Sequence, residues 1–94
     1  MTRRQRELDE AARLKRVAAR ARFKAASDEL ARVFREYEPT HECYEQYTQA
    51  RREHVDATVE LWEGNPPRES KLMERLFALW DRRIEHDALS TLED

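Results

Sequence analysis

Residues 19–37 read ARARFKAASDELARVFREY. Within this stretch Ala19, Phe23, Ala26, Leu30, Val33 and Tyr37 recur at intervals of 4, 3, 4, 3 and 4. That spacing puts all six on one stripe of an α-helix and asks for a partner helix along it. Leu8 and Ala12 carry the same face toward the N-terminus. A second seam, Ala11, Leu14, Ala18, Ala21 and Ala25, runs at intervals of 3, 4, 3 and 4. At 100° per residue it lies roughly 130° around the helix from the first. Between the two seams runs a basic stripe of Arg6, Arg13, Arg20 and Lys24.

Outward from this helix the pattern breaks twice, at Glu38-Pro39-Thr40 and at Gly64-Asn65-Pro66-Pro67. Proline cannot sit in a helix interior and disfavours helix for the residue before it. Thr40 suits an N-cap after the first break. At the second, Gly64 suits the left-handed position past a helix end, Asn65 an N-cap and Pro66 the first helical position. The reading is three helices at about 3–37, 41–63 and 66–89, followed by a frayed acidic tail, in one helical domain spanning 1–94. The fold class is all-α: a three-helix bundle or long helical hairpin with an extended N-terminal helix. Helix 2 offers Cys43, Tyr44, Tyr47, Ala50, Val55, Leu61 and Trp62 as its apolar face, opposite Glu42, Glu45, Glu53, Asp56, Glu60 and Glu63. Helix 3 offers Leu72, Met73, Leu76, Phe77, Leu79, Trp80 and Ile84. Helix 1 would run roughly 52 Å and its companions roughly 35 Å each, so residues 3 to about 14 should overhang as a basic arm.

Composition agrees. Charged residues make up 40% of the 94, and one Gly with three Pro leaves no glycine turns for a β-sandwich, a Rossmann domain or a P-loop. A lone Cys forms no internal disulfide. No apolar run approaches a membrane span or a secretory signal, so the expectation is a soluble intracellular chain that does not act at membranes. The net charge of −2 hides a polarity: residues 1–26 carry nine Arg/Lys against three Asp/Glu, residues 27–94 nine against seventeen. Asymmetry of this size points to an electrostatically steered contact.

Arg outnumbers Lys fifteen to three, and its planar fork suits carboxylates and phosphates. The residues expected to meet a partner are Arg6, Arg13, Arg16, Arg20 and Lys24 for charge, with Ala11, Leu14, Ala18 and Ala21 for close packing. The function these imply is a non-enzymatic protein-interaction module: a regulator, inhibitor, adaptor or small assembly subunit meeting an acidic protein surface. A nucleic-acid backbone is the alternative partner, and self-association a third option. Residues 13–20 with the seam after them are similar to the basic region of basic-leucine-zipper proteins. The asparagine that reads bases there is missing, since the only Asn is Asn65, and Glu7, Asp9 and Glu10 would face phosphates. Helix 3 is expected to fill the alanine seam, and the acidic face of helix 2 to face solvent. Cys43 with His41 is a candidate reactive pair, but i and i+2 do not share a helical face, so a thiol within the core is the plainer reading. His54 reads as a core or interface residue, and His86 as a C-terminal cation. No His or Cys pair has the i, i+4 spacing of a helical metal site, so no metal or cofactor is expected.

Overall fold

The computed structural model describes residues 2–93. Helix α1 spans Arg3–Glu36, a 3-10 turn spans His41–Cys43, α2 spans Tyr44–Leu61 and α3 spans Lys71–Glu93. The fold is all-α, a three-helix bundle drawn out into a rod of 70 × 22 × 19 Å. α1 and α2 form an antiparallel hairpin. Alanines are buried on both helices, Ala19 and Ala26 on α1 and Ala50 and Ala57 on α2, and the two backbones run close. α3 turns back along α2 and is held off the hairpin by large side chains. Phe77, Trp80 and Ile84 meet Leu30, Val33, Tyr47 and Ala50, with Phe34 and Met73 packed against them.

The element ends explain themselves. Thr2 caps α1, its hydroxyl accepting from Gln5 N at 3.2 Å. Thr40 does not cap α2 through its side chain. The chain enters α2 through the 3-10 turn, and the first exposed donor of that turn, His41 N–H, donates to the Asp87 carboxylate of α3 at 2.8 Å. At the far end of α2 the left-handed residue is Glu63, at φ 52°, followed by Gly64 at φ 86°. Gly64 N–H closes the turn on the Val59 carbonyl at 2.9 Å, the pattern of a Schellman end. α3 starts at Lys71 and not at Pro66, because Pro67 drives Pro66 out of the helical region. Ser70 serves as its cap, accepting from Met73 N at 3.2 Å. α3 then continues past the expected end at 89 through Glu93, so the frayed stretch is helical; Asp94 lies outside the described residues.

Three expectations about faces are corrected. α3 does not fill the alanine seam: Ala11, Leu14, Ala18, Ala21 and Ala25 are all exposed. α3 descends on the side of α1 marked by Phe34, whose ring meets Trp80 at 5.0 Å, and Ala18 lies roughly 160° around from it. Tyr44 and Val55 of α2 are exposed, as are Leu72 and Leu79 of α3, because each lies roughly 100° or more around its helix from the centre of the buried stripe. Glu53 and Glu60 do not face open solvent alone; they flank the α1 contact.

Candidate interaction surface

Every residue of α1 from 3 to 18 is exposed. The first buried position is Ala19, opposite the last turn of α2. α2 runs out because Glu63 and Gly64 turn the chain away, so the stripe that Leu8 and Ala12 begin has no helix over it. Leu8 is 63% exposed and Leu14 53%. The arm therefore presents two apolar faces and a basic stripe at once.

The cations of the stripe divide in two. Arg13 is held by Glu10, with nitrogen–oxygen distances of 2.7 and 3.2 Å, and Lys24 by Asp28 at 2.9 Å. Each pair raises the pKa of its cation, and Arg13 lowers that of Glu10. These are exposed pairs one turn apart, which another carboxylate can displace at little cost. Arg6, Arg16 and Arg20 make no ion pair among the described residues. They share an arc of roughly 80° on α1.

Arg22, absent from the expected set, does different work. Its guanidinium holds Glu53 at 2.8 Å and also binds Glu60, both on α2. The hydrogen bonds to these two carboxylates raise the Arg22 pKa and clamp the upper half of the hairpin. The signal was present: Glu53 and Glu60 are seven residues apart, hence on one face beside Ala57. Beside the clamp Phe23 packs against His54 and edge-on against Trp62, with ring centroids at 5.6 and 5.3 Å. Burial lowers the His54 pKa, so the ring is a neutral packing element. Trp62 is 38% exposed.

At the opposite end of the rod, the Cys43–His41 pair is not assembled. Cys43 is buried and its thiol lies 3.1 and 3.2 Å from the Glu38 and Thr40 carbonyls. The His41 ring instead turns to Asp87, whose pKa is lowered chiefly by the His41 backbone N–H and then by the ring. Asp81 accepts from the Tyr47 hydroxyl at 2.8 Å and from Arg51 at 3.0 Å, while the Arg51 guanidinium lies 4.2 Å over the Phe77 ring. Burial, then the bond to Asp81, raises the Tyr47 pKa, so the phenol stays protonated.

No protein-family model, curated protein or solved structure matches this chain. Among the described residues no helix is long and apolar enough to cross a membrane.

Proposed function

We propose that this chain is a non-enzymatic helical interaction module, a regulator, adaptor, inhibitor or small assembly subunit, that lays its basic N-terminal helix on an acidic macromolecular surface. One observation carries the reading: α1 is exposed on every side over residues 3–18 while bearing a basic stripe and an unfilled apolar seam. A solvated helix end has no need of Leu8, Leu14 and Val17, all more than half exposed. Arg6, Arg16 and Arg20 supply the charge, with Arg13 and Lys24 recruited by exchange of weak local pairs; Ala11, Leu14, Ala18 and Ala21 allow close approach.

A protein surface fits better than a nucleic acid. Glu7, Asp9 and Glu10 interleave with the arginines and would oppose phosphates, whereas an apolar seam gains from another helix. The test is capture of partners from the native host with the parent chain and with Arg13→Glu/Arg20→Glu as baits. The double variant should keep its helical signal and lose the partner; equal recovery by both baits overturns the reading. Retention on heparin and on random duplex at low salt, with the slope of log K against log salt, separates the nucleic-acid case.

A further inference from the structure

We infer that the acidic surface taken by the arm is the opposite end of a second copy of this chain, so that the rods join head to tail. This rests on the reading of α1 as a docking element and names its partner.

The rod has two overhangs. α1, with 34 residues, accounts for about 51 Å of the 70 Å length. The rest is shared by the 37–43 connection and by α3, which runs parallel to α1 and continues for about 9 Å beyond the level where Asp87 meets His41 at the start of the turn into α2. Residues 89–93 thus project at the bottom as residues 3 to about 14 project at the top.

The overhangs are opposite in charge. Residues 3–16 hold six Arg/Lys and three Asp/Glu. At the other end, residues 36–45 and 84–93 hold seven Asp/Glu and no Arg or Lys. Glu38, Glu42, Glu45 and Glu85 make no ion pair among the described residues. The helix dipoles add to this, since the top carries the N-terminus of α1 and the bottom the C-terminal end of α3.

Both overhangs are also unpartnered and apolar. Leu89 is 53% and Leu92 82% exposed, and beside them Tyr44, Ile84 and Ala88 line a shallow cavity of about 550 Å³ rimmed by Asp81 and Glu85. Leu8, Ala11 and Leu14 of an arriving arm span roughly 120° of its surface and offer this cavity an apolar side. A lap joint of this kind uses different patches on the two copies. It is heterologous, does not close on itself, and lengthens with concentration.

Sedimentation velocity over a concentration series tests this. At roughly 0.01 M salt, where the Debye length is about 30 Å, the parent chain should form an open series of elongated oligomers. At roughly 1 M it should fall back to monomer. Arg6→Glu/Leu8→Glu disables the arm and Glu85→Lys/Leu89→Lys disables the acidic end; all four positions are exposed, and circular dichroism checks the fold. Each variant alone should stay monomeric. Mixed, they should form a heterodimer and stop there, because one intact arm meets one intact end. A parent chain that is monomeric at every concentration overturns the inference, as does a mixture that forms no heterodimer. If self-association is absent while Arg13→Glu/Arg20→Glu still loses a host partner, the docking role of α1 stands and its partner is another molecule.

Discussion

Trp80→Ala tests how the third helix is attached. The Trp80 ring is buried, stacked on Tyr47 at 5.4 Å and edge-on to Phe34 at 5.0 Å, and so joins all three helices. Truncating a buried tryptophan to alanine costs about 3–5 kcal/mol. A domain of this length has a total stability of about 5–14 kcal/mol. The melting temperature should therefore fall by at least about 12 °C, at about 4 °C or more per kcal/mol. The loss should appear in one transition for all three helices. The α1–α2 contact is lined by alanines, which bury too little apolar area to hold a hairpin alone once the aromatic cluster opens. Urea melts followed by circular dichroism, with amide exchange resolved by helix, provide the assay. Leu72→Ala, at a position 75% exposed, serves as the control and should change stability by less than about 0.5 kcal/mol. A Trp80→Ala chain within about 1 kcal/mol of the parent would refute the argument. So would a variant in which α3 loses protection while α1 and α2 keep theirs.

In the monomer, amides of residues 3–12 should exchange far faster than those around Val33, since a helix of that length without a partner is marginal; protection matching that of Val33 would show the arm is covered. Gly64→Ala and Glu63→Gly should move stability in opposite directions. The first costs about 1 kcal/mol because a side chain is placed at φ 86°, with nothing within 4 Å to clash. The second relieves the left-handed Glu63 by a few tenths of a kcal/mol, read by thermal melts. Asp87→Ala should lower the melting temperature at neutral pH. The folded-state pKa of Asp87 is depressed, so its contribution is full above the usual carboxylate value of 3.8 and is lost as pH falls through the lower folded value. The gap between parent and variant should close in strong acid, and a gap independent of pH would refute the assignment. His54 has the same sign for a different reason. Burial lowers its pKa, so stability should begin to fall as pH drops below the ordinary value of 6.5, and His54→Phe should remove that slope.

The faces of the helices were legible where side-chain size and spacing coincide. The stripe from Ala19 to Val33 is buried or half-buried because each residue sits about one turn from the next, within about 60° around the helix, and none carries charge. The breaks at Pro39 and Pro66 were equally plain, since proline acts through its own backbone. What the spacing leaves out is how wide a stripe the neighbouring helix covers. Tyr44, Val55 and Leu72 all lie on apolar faces yet are exposed, because each sits roughly 100° around its helix from the centre of the buried stripe. The turn at 62–70 is longer than the proline pair alone suggested, and it sets the start of α3 five residues lower. The polar contacts His41–Asp87, Arg22–Glu53 and Arg51–Asp81 join residues 30 to 46 apart in sequence. No periodicity within one helix reports them.

The choice between the two seams of α1 is a matter of volume. Helix separation follows the side chains at the contact. α2 brings Ala50 and Ala57 to α1 and so nests against Ala19 and Ala26, small against small. α3 brings Phe77 and Trp80, which an alanine seam would leave standing on a flat surface with their rings in water. Those rings find enclosure only where Phe34 and Tyr47 rise around them. The alanine seam is therefore rejected by the third helix of its own chain. On the docking role proposed for α1, a helix that lies on this seam needs a shallow apolar face, and the arm that carries the seam is exposed on every side over residues 3–18.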